Sequence, residues 1–183
     1  MKSTPPPILD FLSTLVSFWW LQLRSIPIWI RHPKLGYARF LSSWYLFLKP
    51  SSFLESFERA HHDIDATELT YSNSPVALSL RLSHYLKLTP KDLFIDCGSG
   101  QGRVCFDTNA LTGAQTIGIE CLDSLHRFSS LMASRLNRSE QCTFIKGDFL
   151  KADLSKAHIL FATCTCYSLK TRLKLWYHCS TLT

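Results

Sequence analysis

The sequence predicts an α/β fold, with a parallel sheet of about four strands behind an α-helical N-terminal extension. Three observations carry this expectation. From residue 93 onward, short apolar runs alternate with segments of helical periodicity. The first run, Leu93-Phe94-Ile95, passes into Asp96 and then into three glycines at alternate positions, Gly98, Gly100 and Gly102. Each later apolar run also ends in a polar cluster, where open parallel sheets bind their ligands. Together these describe a Rossmann-like sheet. A length of 183 residues suits one such domain with an extension.

The elements follow in order. Prolines at 5 to 7 precede a helix expected from Ile8 to Arg24, and Pro27 and Pro33 are expected to break the next stretch. Apolar residues recur at helical spacing from Tyr37 to Leu48, and a further helix is expected from Ser51 to His61. The cluster His61, His62, Asp63 and Asp65 reads as a solvated linker, with no metal site. Ser74 as cap and Pro75 in the first turn open a helix through Leu88. Strands are expected at Leu93–Asp96, Thr116–Ile119, Cys142–Ile145 and Ile159–Ala162. Helices are expected at about 103–111, 123–136 and 168–177. Residues 1–65 thus read as the helical extension, and 66–183 as the ligand-binding domain.

Charge and cysteine content narrow the classes. The net charge is +6, and its excess lies early: residues 1–60 hold seven Lys/Arg against three Asp/Glu. A solvated face explains this bias, and the chain is not read as a nucleic-acid binder. Seven cysteines without paired C-x-x-C spacing suit a reducing, cytoplasmic setting and give no zinc motif. Residues 8–30 are strongly apolar, but Asp10, Gln22, Arg24 and Pro27 interrupt them. The uninterrupted span of about 20 apolar residues that a membrane crossing needs is missing. Two readings stay open for this segment: a helix packed on the domain, or an interfacial helix that associates the chain with a membrane surface.

The glycine loop points to a ligand class. A phosphate-binding loop ends in Gly-Lys-Ser/Thr, whereas Gly102 precedes Arg103 and Val104. A dinucleotide loop spaces its glycines differently and places a pyrophosphate where Asp96 would repel it. A carboxylate here suits a nucleoside that carries positive charge and no phosphate, such as S-adenosylmethionine. Glu120, about twenty residues on at the second strand tip, suits the ribose hydroxyls. Asp148 at the third tip suits the adenine amine, and Phe149 could stack on its ring. Thr163, Thr165 and Tyr167 at the fourth tip are the residues expected to orient a methyl acceptor.

Asp96-x-Gly-x-Gly-x-Gly, Gly118-Ile119-Glu120 and Gly147-Asp148-Phe149-Leu150 together resemble class I S-adenosylmethionine-dependent methyltransferases. Within that class they are similar to the disruptor-of-telomeric-silencing type of protein-lysine methyltransferase and its small bacterial relatives. The resemblance covers about residues 68–170. It implies that Tyr71 and Ser74 belong to a loop folded over the cofactor, and that the acceptor is a protein amine. Where the family carries Asn at the fourth strand tip, this chain has Thr163. The family's fold continues through a fifth strand and a hairpin, so the sequence reads as an incomplete class I fold, truncated after strand four. Two alternatives stay beside the amine acceptor: a small molecule or lipid near a membrane, and an inactive cofactor-binding or interaction domain.

Overall fold

The computed structural model describes residues 16, 20, 23, 26–48 and 74–182. The expected helix at 51–61, the His61–Asp65 cluster and Tyr71 lie outside these residues, as does most of the helix expected at 8–24. The domain is built on four parallel strands: β1 (Leu93–Cys97), β2 (Gln115–Glu120), β3 (Cys142–Lys146) and β4 (Ile159–Phe161). Their order is β3-β2-β1-β4, so the chain reverses its direction of travel across the sheet between β1 and β4. The register aligns Asp96 with Gly118 of β2 and with Phe161 of β4, and Gly118 with Phe144 of β3.

Period-two alternation divides the strands between two layers. Ile95, Cys97 and Ile119 face a core completed by Leu154 and by Leu175 of helix α5 (Leu169–Ser180). On the other face, Phe106 of α3 (Arg103–Thr112) packs with Phe128 and Met132 of α4 (Asp123–Arg135) and with Cys142. Phe144 fills the space between Gly102 and Gly118. A Cβ on Gly118 would lie 2.6 Å from its ring and equally close to Ser99 Oγ. Only a residue without a side chain fits there.

Two further helices, α1 (Pro33–Leu48) and α2 (Val76–Leu86), lie against α3. A buried polar network joins them. Arg39 of α1 donates from Nε to Asp107 Oδ1 at 3.0 Å and from Nη2 to Oδ2. Ser79 Oγ of α2 donates to Asp107 Oδ2 at 2.7 Å. Asp107 is 1% exposed, and a guanidinium and a hydroxyl meet its carboxyl group there.

The expected strands and domain helices form, with bounds shifted by up to three residues. Two local expectations need correction. Residues 26–31 are helical despite Pro27, whereas the expected break at Pro33 forms: His32 is non-helical and Pro33 opens α1. A proline is tolerated in a first helical turn, where its missing N–H has no partner to lose. Ser74 is not the cap of α2. Pro75 holds that position without a side-chain bond, and the Ser74 carbonyl instead accepts from the Arg39 guanidinium at 3.4 Å.

Candidate functional site

Every strand of the sheet delivers its C-terminal end toward one cavity of about 400 Å³. Asp96, Gly98, Ser99 and Gly100 line it from β1, Glu120 from β2, Asp148 and Phe149 from β3, and Thr163, Thr165 and Tyr167 from β4. Ser74 and Pro75 close its rim from the start of α2. Of the predicted residues within the described chain, Gly102 alone is missing from the wall. Its φ of 74° turns the loop into α3, and the ring of Phe144 lies where its side chain would be.

The loop is fixed by hydrogen bonds that leave its glycines bare. Gly98 N and Ser99 N both donate to the Ile119 carbonyl, at 2.9 and 3.0 Å, and Gly102 N donates to Ser99 O. Glu120 ties the loop to the second strand tip: its Oε2 accepts from Gly100 N at 2.8 Å, and its Oε1 from Leu122 N at 2.9 Å. The Cys121 thiol also donates weakly to Oε1 at 3.5 Å, so the open lone-pair site of Glu120 is on Oε2, where it can hold the loop and still receive a hydroxyl. At Gly98, with φ 84°, any Cβ would be driven into the Tyr167 hydroxyl.

Asp96 is in a different condition. It is 3% exposed, and among the described residues its hydrogen-bond neighbour is the weakly donating Cys105 thiol at 4.0 Å. Burial first, and then the charge of Glu120, push its carboxyl up to about 7. Asp96, Glu120 and Asp148 all line the cavity; Arg103 and Lys174 share its wall, but among the described residues neither Asp96 nor Glu120 is held in an ion pair. That electrostatic deficit is what an arriving ammonium or sulfonium would fill.

Tyr167 and Phe149 form one wall. Their rings stack at 5.3 Å and 28°, so one face of Phe149 is already occupied by protein. The Tyr167 hydroxyl donates to the Cys97 carbonyl at 3.0 Å. Burial, with Asp96 and Glu120 nearby, holds its phenol well above the ordinary value, so it remains a donor. Its single proton is thereby committed to the backbone. Arg172 Nε in turn donates to the Tyr167 carbonyl at 2.9 Å. Asp148 Oδ1 accepts from Leu150 N at 2.9 Å, a turn that leaves Oδ2 toward its exposed neighbour Lys151. Between Thr163 and Thr165 the chain passes through Cys164 at φ 53°, and both threonines line the cavity.

The residues present fit S-adenosylmethionine in three respects. An unmatched buried carboxylate meets its positive end, and a glycine bend offers backbone where bulk is not tolerated. Ser99 Oγ is buried in the wall with no hydrogen-bond partner among the described residues. The Cys121 thiol, held up to about 12 by burial and Glu120, supplies no thiolate nucleophile to the same cavity. Sequence reasoning missed Thr171 and Lys174, which reach the cavity from α5. It also missed Arg39, whose partner Asp107 is 68 positions away. The one signal for that pair is an acid within the otherwise buried face of α3.

Comparison with known proteins agrees with this geometry. The model of the family described as histone methylation protein DOT1 matches residues 61–166. The sterol 24-C-methyltransferase ERG6 of Saccharomyces cerevisiae is 32% identical over 104 residues, covering 51% of this chain and 27% of that protein. The sterol 24-C-methyltransferase of Eremothecium gossypii is 28% identical over 104 residues, covering 51% and 28%. The chain thus spans little more than a quarter of the curated relatives it matches. An RNA methyltransferase from Salinibacter ruber, solved with S-adenosyl-L-homocysteine, superposes with a TM-score of 0.51 at 25% identity. That superposition covers 58% of this chain and 71% of the other.

Proposed function

Because the chain belongs to the histone methylation protein DOT1 family, we propose that it is a class I S-adenosylmethionine-dependent methyltransferase whose acceptor is an amine of a protein, a lysine foremost. The observation that carries the reading is Asp96, a buried carboxylate with no ion-pair partner among the described residues, at the head of a bare glycine loop. S-adenosylmethionine supplies a methyl group already activated on a sulfonium, so the protein need only bind, align and keep water out.

The roles divide by strand tip. Asp96 and the backbone of Gly98 and Gly100 receive the charged end of the cofactor, and Glu120 receives a ribose hydroxyl. Asp148 accepts from the adenine amine, and the free face of Phe149 packs on the ring. Tyr71 and Ser74 belong to the loop that covers this end. Thr163 and Thr165 accept hydrogen bonds from the incoming nitrogen and fix its lone pair in line. Tyr167 acts as a wall: stacked on Phe149 and bonded to Cys97, it excludes water from the line of attack.

A lipid or small-molecule acceptor is the second reading, supported by the likeness to sterol 24-C-methyltransferases. Incubation with tritiated S-adenosylmethionine separates the two when core histones and a lipid extract are offered together. Label on histone lysine, lost in Asp96→Ala, is expected. Label in the lipid fraction replaces the amine acceptor, and a calorimetric titration with no heat from the native chain removes the cofactor reading itself.

A further inference from the structure

The N-terminal helical segment carries an apolar surface that the site leaves unused. Val16, Trp20, Leu23, Ile26 and Ile30 follow one another at helical spacing, and all are exposed, Ile30 to 78% and Val16 to 69%. Tyr37, Phe40 and Trp44 continue the exposed apolar series on α1. The opposite side of α1 is spoken for: Leu35, Ala38 and Ser42 are buried, and Arg39 reaches Asp107.

The chain is sharply bent between these two stretches. A Cβ on Gly36 would lie 2.6 Å from Trp29 Cβ. In a straight helix, residues seven apart are separated by about 10 Å along the axis. Trp29 therefore folds back onto Gly36 at His32–Pro33, and its ring meets Phe40 edge-on at 6.0 Å. Exposed Arg31 and Lys34 flank the bend.

We infer that this surface docks on an anionic lipid bilayer, lying in its interface without crossing it. Three observations favour lipid over a helical partner. The bend at His32–Pro33 interrupts any continuous seam that a coiled coil would need. Tryptophan and tyrosine beside Arg and Lys suit the headgroup region. The first 60 residues carry seven basic against three acidic side chains; Arg39 is engaged by Asp107, and the remaining excess is complementary to anionic headgroups. Among the described residues no helix is long and apolar enough to span a membrane.

The test is flotation of the whole chain with vesicles of phosphatidylcholine, with and without phosphatidylglycerol. The native chain is expected to float with the anionic vesicles and to release in high salt. Leu23→Asp with Ile30→Asp should stay in the soluble fraction, and Arg31→Gln or Lys34→Gln should each weaken partitioning about fivefold. All these positions are exposed, and unchanged heat with S-adenosylmethionine certifies that each variant is folded. If the chain binds no cofactor, circular dichroism serves that purpose and the lipid result stands alone. A native chain that ignores anionic vesicles overturns the inference. So does a dimer in light scattering that the double Asp variant dissolves, which would assign the surface to a second copy.

Discussion

Two aspartates, eleven residues apart and both buried, are treated in opposite ways. Asp107 is enclosed by Arg39 and Ser79, with a charged and a neutral donor on its oxygens. Asp96 has a thiol at 4.0 Å and another acid nearby, and its carboxyl rises to about 7. The first arrangement is complete within the protein and holds the helical layer to the sheet. The second is incomplete and costs stability until something positive arrives. The contrast separates what holds the fold from what the fold is for.

The contrast can be broken from either side. The largest effect is expected at the completed pair. Arg39→Met strands a buried carboxylate and should lower stability by about 3 kcal/mol or more. Adding Asp107→Leu should recover much of the loss in urea unfolding, because an apolar pair replaces an unmatched charge. At the incomplete site the signs reverse. Asp96→Asn should weaken S-adenosylmethionine binding about a hundredfold by calorimetry, as expected for losing a buried charge partner. The same variant, free of cofactor, should melt about 3 °C higher at pH 8. The sign follows from linkage. The folded carboxyl titrates near 7 and the unfolded one near 3.8, so the folded chain binds more protons between those values. Stability therefore falls as pH rises through that window, and the neutral amide removes the fall.

Smaller effects sharpen the geometry around Asp96. Gly118→Ala forces a methyl group toward Phe144 and Ser99 and should cost about 1–3 kcal/mol in thermal unfolding. Tyr167→Phe keeps the ring stacked on Phe149 and removes only the bond to the Cys97 carbonyl. A loss of about 1 kcal/mol, or roughly fivefold in cofactor Kd, is expected by calorimetry.

Asp96, Glu120 and Asp148 were legible before any coordinates because each lies at the end of an apolar run. Strand period and a short connection place such residues on one edge of the sheet whatever the side-chain detail. Asp107 was not legible: its partner arrives from another helix, and pairing at such separation leaves no local pattern. Gly102 belongs to the same lesson in reverse. Spacing grouped it with the ligand-facing glycines, whereas the ring that excludes its side chain comes from Phe144, two strands away in the sequence. Pro27 reads as a break, but residues 26–31 are helical, and the chain turns instead at the second expected break, His32–Pro33, where Trp29 folds back onto Gly36. Thr163 and Thr165 were found from their position after the fourth strand. Lys174, on a helix with no motif of its own, needed the fold to bring it to the cavity.

The central claim is that Asp96, buried and without an ion-pair partner among the described residues, waits for the charge of its ligand. Calorimetric titration with S-adenosylmethionine from pH 5 to 7 addresses it most directly, since the sulfonium keeps its charge and the ammonium titrates only near 8. Binding to the ionised carboxylate alone predicts a Kd that tightens about tenfold for each unit of rising pH in this range, with a proton released on binding. It also predicts that Asp96→Asn binds weakly with no such slope. A native Kd that stays flat from pH 5 to 7, or a slope that survives in Asp96→Asn, would contradict it.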